Sequence, residues 1–259
     1  MVQFFKTMTL QLLRKLVPIL QVLVAKVLRC GPIPGHVSVI MDGNRRYARN
    51  KKMKVIIGHV RGKARIIPAL RLCKRLGIKE ITLYLFSIEN FKRTEEEVRE
   101  LLIVIKDFIV ELIHDPSLLE ELDVCYKIVG DLKMLDEEFH EFDRQIKGMA
   151  KDKSFRVNLA IAYTSREEMT YAIKDAVEES STNAKRPEED LSRNLYVGRD
   201  VDMVIRTSGE VRLSDFLLWQ STSSMLCFTD VLWPEFSAWN LIVVLLRYQK
   251  YMFNKNKWL

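Results

Sequence analysis

The stretch His36-Val-Ser-Val-Ile-Met41-Asp42-Gly43-Asn44-Arg45-Arg46 decides how this chain is read. His36–Met41 is short and rich in Val and Ile, as a buried strand is. A glycine-containing turn follows at once and should open a short helix. Gly43 permits close backbone approach, the free N–H groups of a helix start favour phosphate oxygens, and Arg46 adds a charge-assisted donor. A carboxylate beside a diphosphate is tolerable chiefly when Mg2+ bridges the two, which gives Asp42 a task. The alternative is Asp42 as a helix cap with Arg46 as its surface partner.

Working outward, Asp42 is the only carboxylate between Met1 and Lys79, while Arg45, Arg46, Arg49, Lys51, Lys52, Lys54, Arg61, Lys63 and Arg65 crowd the residues after it. The net charge of +7 and pI near 9.2 point to an anionic partner: nucleic acid, a membrane surface or phosphorylated substrates. The 259 residues, 48% hydrophobic, suit one folded α/β domain with no internal boundary and exclude a disordered chain. Cys30, Cys73, Cys125 and Cys227 are far apart and lack metal-ligand spacing, so they read as free thiols in a reducing compartment.

Leu10–Leu28 is apolar but interrupted by Arg14, Lys15, Pro18 and Lys26, too broken to span a bilayer. Residues 1–30 therefore read as an amphipathic segment on a membrane or on the folded chain itself, and residues 31–259 as one domain. Beyond the Gly31–Gly35 break, the runs Ile81–Phe86, Val124–Val129, Phe155–Ala162 and Met203–Arg206 join His36–Met41 as strands. Arg61–Leu76, Thr94–Ile113, Leu135–Ala150, Arg166–Ser180 and Trp239–Tyr251 carry helical spacing. This alternation predicts an α/β fold with a mostly parallel central sheet flanked by helices, and ligands at the strands' carboxyl ends. Ser180–Asp190, polar and holding Pro187, reads as a mobile surface loop.

Three further constellations fall at such positions. Gly58-His59-Val60-Arg61-Gly62 precedes an amphipathic helix and offers His59 and turn amides to the same phosphates, although a lone histidine is usually structural. Ser87-Ile-Glu89-Asn90-Phe91-Lys-Arg93 follows a strand; Glu89 and Asn90 either bind or cap the helix whose Thr94–Glu97 start resembles a capping box. Asp202–Trp219 carries a strand ending in Arg206, a glycine-containing loop, then Arg212 and Ser214 before an apolar helix expected near Asp215, which suits a second diphosphate. The cluster is compact and lacks spread stacking aromatics, which argues against nucleic acid.

These constellations resemble the cis-prenyltransferases, the group of undecaprenyl and dehydrodolichyl diphosphate synthases, from about His36 to Trp233-Pro234-Glu235-Phe236. Asn90–Arg93, Tyr163-Thr164-Ser165 and Arg206–Glu210 resemble the eukaryotic members. The resemblance implies condensation of isopentenyl diphosphate onto an allylic, farnesyl-type diphosphate to make long-chain cis-polyprenyl diphosphate, as in dolichol synthesis. By the same likeness Asp42 binds Mg2+ on the allylic diphosphate, held also by Gly43, Asn44, Arg45, Arg46, Tyr47 and His59. Arg206, Arg212 and Ser214 hold isopentenyl diphosphate, Ser87, Glu89, Phe91 and Arg93 lie near the reacting ends, and Asn90 is linked to proton loss. An apolar tunnel lined by Thr94–Ile113 and neighbouring strands would house the product.

Three positions depart from the pattern: Val55 for a diphosphate-binding arginine, Met225 for a metal-associated glutamate across the bacterial dimer, and Leu85 for a small residue before Phe-Ser. The last residues lack the Arg-x-Gly tail of homodimeric members. Both Met225 and the tail resemble a heteromeric catalytic subunit, which implies a Nogo-B-receptor-like accessory subunit and a peripheral place on the cytoplasmic face of the endoplasmic reticulum membrane. The competing reading is a non-catalytic, lipid-binding or partner-stabilising subunit; such subunits lose the Asp42-Gly43-Asn44 constellation that this chain keeps.

Overall fold

The computed structural model describes residue 20 and residues 22–149, 152–179 and 187–255. Its centre is a six-stranded sheet, paired in parallel throughout, in the order β3-β4-β2-β1-β5-β6. The strands are β1 (His36–Ile40), β2 (Glu80–Ser87), β3 (Val124–Val129), β4 (Phe155–Tyr163), β5 (Met203–Arg206) and β6 (Met225–Phe228). All of β1 and β5 is buried, as strands covered on both faces must be. Alternate residues serve opposite sides: Val37, Val39, Met203 and Ile205 join the larger apolar core, Ile40 and Val204 the smaller one.

The helices are α1 (Asn44–Asn50), α2 (Val55–Leu76), α3 (Glu95–His114), α4 (Pro116–Leu122), α5 (Glu137–Gly148), α6 (Ser165–Glu179), α7 (Pro187–Asn194) and α8 (Ala238–Lys255). α3 shows why they form. The Thr94 hydroxyl accepts from the Glu97 amide at 3.3 Å, and Glu95–Glu97 fill a first turn that favours acids. Leu101, Val104, Ile105, Phe108 and Leu112 then recur at helical spacing and are all buried.

Several expectations are corrected. β6 was not foreseen, because four residues at a sheet edge with Leu226 outward carry little periodicity. α4 begins on a proline that reads as a break but sits at a first helical position, where no amide partner is needed. α7 likewise turns residues 187–190 of the expected loop into helix, while residues 180–186 lie outside the described residues. No helix forms near Asp215; residues 211–224 run as turns and bends, with positive φ at Ser214, Asp215 and Leu217. Of the amphipathic N-terminal segment expected over residues 1–30, residues 1–19 and 21 lie outside the described residues. Residues 22–28 are helical, bury Ala25 and Leu28 against the core and expose Leu23 and Val27; Gln249 on α8 donates to the Leu28 carbonyl at 2.6 Å. Among the described residues no helix is long and apolar enough to cross a membrane.

Candidate active site

The connection from β1 leads to β2 on one side, and that from β5 leads to β6 on the other. A crevice therefore opens beyond the carboxyl ends of β1 and β5, where open α/β sheets hold ligands. Register places Ile40 beside Arg206, so Asp42 meets the end of β5. One Asp42 oxygen accepts from the Gly43 amide at 2.7 Å, the other from Arg206 Nη2 at 2.8 Å. Burial pushes the Asp42 carboxyl up, but the bond and charge of Arg206, with the Gly43 amide, outweigh it and hold the group below its ordinary value. Asp42 is ionised. It is not the cap of α1 paired with Arg46: the capping position is Gly43, with no side-chain cap, and Arg46 donates to the Ser208 carbonyl and pairs with Glu210. Gly43 has φ 104°, and a side chain there would press on Leu232 and Ser208.

Above this corner lies a cavity of about 700 Å3. Seven arginines (45, 46, 49, 93, 166, 206 and 212) and Lys63 line it against only Asp42, Glu89 and Asp215, an excess that suits a multiply charged anion. Arg206 is 3% exposed, and its Nη atoms also donate to the Arg212 carbonyl at 2.6 Å and Ser214 Oγ at 2.7 Å. Its Nε is buried without a partner, as is Nε2 of His59. Burial, reinforced by the nearby Arg93, pushes His59 down to about 4, so its ring is neutral.

The cavity's inner half is apolar, formed by Leu85 and Phe86 of β2, Ile66 of α2, and Leu101, Val104, Ile105 and Phe108 of α3. Ser87 and Asn90 stand at the junction of the two halves. Ser87 Oγ accepts from the Glu89 amide at 3.2 Å and the Ser87 amide donates to Asn90 Oδ1 at 3.0 Å, so the reciprocal capping pair belongs to the 3-10 turn Ile88–Lys92. Thr94 does cap α3, yet the Glu97 carboxylate turns away to Arg93 at 3.1 Å and Arg45 at 3.3 Å.

Of the site residues expected from sequence, the fold brings Asp42, Gly43, Asn44, Arg45, Arg46, His59, Ser87, Glu89, Asn90, Arg93, Arg206, Arg212 and Ser214 to one cavity. Tyr47 and Phe91 do not line it; Phe91 packs edge-on against Phe86 at 4.8 Å. The Gly58–Gly62 motif is no turn before a helix but lies within α2, so its glycines serve packing: a Cβ on either would fall 2.2 Å from Asn44. Sequence reading missed Glu97 and Glu210 as clamps on pairs of site arginines, Glu210 pairing with both Arg46 and Arg212. It also missed Tyr84, stacked on Phe216 at 4.3 Å, whose hydroxyl donates to the Tyr163 carbonyl at 3.1 Å. An acid placed to pair at helical or loop spacing was the only signal available.

Known proteins resemble this arrangement throughout. The family model described as putative undecaprenyl diphosphate synthase matches residues 40–254. The dehydrodolichyl diphosphate synthase complex subunit of Homo sapiens is 41% identical over 233 residues, covering 87% of this chain and 70% of that protein. A geranylgeranyl-diphosphate-specific tritrans,polycis-undecaprenyl-diphosphate synthase of Thermoplasma volcanium is 41% identical over 226 residues, 85% of this chain and 87% of that one. The crystal structure of lavandulyl diphosphate synthase from Lavandula x intermedia, in complex with dimethylallyl diphosphate, superposes with a TM-score of 0.74 at 29% identity, covering 83% of this chain and 95% of that one. With its parallel sheet, its cationic crevice over an apolar floor and these likenesses together, the chain belongs to the undecaprenyl diphosphate synthase family of cis-prenyltransferases.

Proposed function

We propose that this chain condenses isopentenyl diphosphate with an allylic, farnesyl-type diphosphate and builds a long cis-polyprenyl diphosphate, as the dolichol-forming relatives' names describe. The observation that carries the proposal is the two-part cavity: a cationic outer half for diphosphates joined to an apolar inner half for an isoprenoid chain. A binding-only subunit has no need of Asp42 held ionised among those arginines.

In this reading the allylic diphosphate lies over Gly43, Arg45, Arg46 and Arg93, with its chain against Leu85 and α3. Isopentenyl diphosphate lies toward Arg212 and Ser214. The allylic C1–O bond breaks, its electron pair leaving with the diphosphate; the isopentenyl double bond supplies the electrons of the new C1–C4 bond, and a C2 proton passes to the departing diphosphate. Fixed guanidinium groups stabilise the charge that grows on the leaving oxygen without having to reorganise. Arg206 has both Nη atoms bound to protein atoms and acts chiefly by orienting Asp42 and Ser214. Asn90, its Oδ1 held by the Ser87 amide, has its amide nitrogen left for ligand and serves to orient rather than to take the proton.

Mg2+ fits this donor set. Its sites commonly combine one or two carboxylates with substrate phosphates, and Asp42 offers one carboxylate with a lone pair to spare on each oxygen. No cluster of three acidic, histidine or cysteine ligands exists among the described residues. Asp42 would hold the ion together with substrate phosphate oxygens, and the ion's charge would offset that developing on the departing diphosphate.

The reading extends to a Nogo-B-receptor-like accessory subunit. Four relatives are named complex subunits, and Met225 brings no carboxylate to the edge strand. Ile173 and Val177, one turn apart on α6, are exposed apolar surface such a partner would cover. A peripheral place on the cytoplasmic face of the endoplasmic reticulum belongs to the same reading, supported by four cysteines that are all free thiols. The test is isopentenyl transfer by the chain alone and with the partner, the products sized by chromatography. Long-chain products that need both proteins are expected; full activity from the chain alone would remove the partner.

A further inference from the structure

We infer that the corner between α1 and α2 is a membrane-contact surface for anionic phospholipid, separate from the N-terminal segment. Arg49, Lys51, Lys52, Lys54 and Arg61 are all exposed there, and none forms a salt bridge among the described residues. Several cations elsewhere are paired instead. Lys63, Arg71, Lys106, Arg144 and Lys147 each hold a carboxylate. Between the unpaired cations stand Met53, Ile57 and Val60, 41%, 39% and 42% exposed. Ile57, Val60 and Arg61 share the outer face of the first two turns of α2, and Met53 and Lys54 immediately precede it.

The corner is built rather than loose. Lys51, Lys52 and Met53 amides donate to the Tyr47, Arg49 and Ala48 carbonyls at 3.1, 3.0 and 2.9 Å, and Lys52 turns the chain at φ 54°. Gly58 and Gly62 let α2 close onto Asn44, so the corner is fixed to the cavity floor. Cations with interleaved aliphatic groups fit the headgroup boundary of an anionic bilayer: the charges meet the phosphates and the apolar groups enter the layer beneath. Nucleic acid would be met by stacking aromatics, and none stands in this patch. Position gives the contact a use. Arg49 belongs both to the patch and to the cavity lining, which it shares with its paired neighbours Arg45 and Arg46 on α1. Docking there brings the cationic cavity rim, over which the diphosphate substrates would enter, to the bilayer surface. That last step rests on the function proposed above; the surface itself does not.

The experiment is vesicle flotation of the full chain, with phosphatidylcholine alone and with added phosphatidylserine, at low and high salt. The chain is expected to float with the anionic vesicles and to detach as salt rises. In the variant Lys51→Gln/Lys52→Gln/Lys54→Gln, partition should fall about a hundredfold, roughly fivefold for each lysine, with the melting temperature kept. Ile57→Ser should weaken binding without changing its salt dependence. Turnover in detergent with the partner present should be unchanged in the lysine variant, so failure of the surface and failure of the enzymatic reading are separable. Unchanged partition of the lysine variant would overturn the inference. So would equal binding to neutral vesicles, binding lost with residues 1–19 but kept in the lysine variant, or a variant that loses only affinity for homopolymeric RNA.

Discussion

Two titratable side chains in the cavity are held in opposite states, each with a different arginine of the same cluster beside it. Asp42 stays charged because Arg206 and the Gly43 amide outweigh its burial; His59 stays neutral because burial and Arg93 act in the same direction. The histidine gives a pH signature. Its ordinary value is 6.5 and its folded value about 4, so between those limits the unfolded chain binds more protons than the folded one. Stability from this group is complete above pH 6.5 and declines as pH falls toward 4, by about 3 kcal/mol in all. Urea titrations across that range should show a shallower decline for His59→Gln than for the parent chain; identical profiles would mean that His59 is solvated. At this scale much was legible in the sequence. A lone acid in a basic stretch identified Asp42, and strand-to-helix spacing gathered most of its neighbours. What was not legible was who pairs with whom across the chain: Arg46 and Glu210, or Arg45 and Glu97, are far apart in sequence and meet only once the sheet is ordered, whereas Arg93 and Glu97 stand four residues apart.

At the scale of elements, the segment after β5 departs most from expectation. Phe216-Leu-Leu-Trp219 reads as a helix because it is apolar, yet Phe216 and Leu217 are apolar in order to fill the smaller core under Tyr84 and Tyr163. Ser208, Ser214, Asp215 and Leu217 take left-handed backbone conformations that side chains disfavour, and such strain gathers where a loop is shaped for a ligand. Long-range bonds hold it. The Asp215 carbonyl accepts from the Ser165 amide at 2.7 Å, its carboxylate accepts from the Arg166 amide at 3.1 Å, and Ser165 Oγ accepts from the Leu218 amide at 3.0 Å. Asp215 thus caps α6 from another part of the chain, and no local pattern announces that. Asp215→Ala should lower stability by about 1 kcal/mol through the lost cap. It should also raise KM for isopentenyl diphosphate more than KM for the allylic substrate, because Ser214 is displaced. Equal effects on both would show that the loop does not form a separate subsite.

Across the whole molecule, the sheet order, the charge and the apolar floor converge on one crevice. The alternation of strands and helices already implied a parallel sheet with ligands at its carboxyl end; the order of strands, and hence which two ends face each other, was not in the pattern. That order brings Asp42 from one half of the chain to Arg206 from the other, across 164 residues. It also leaves β6 at the sheet edge with Met225, not a carboxylate, as its first residue, and the proposed second subunit rests in part on that. The central claim is that this crevice performs metal-assisted ionisation of an allylic diphosphate, with Asp42 as its carboxylate. It is tested most directly by labelled isopentenyl diphosphate incorporation at graded Mg2+, comparing the parent chain with Asp42→Ala, the partner present and melting curves taken in parallel. The account predicts a variant that melts near the parent while kcat falls at least a hundredfold, the scale of losing one preorganised electrostatic group, and no longer responds to Mg2+. Normal, Mg2+-responsive turnover by the variant would contradict it.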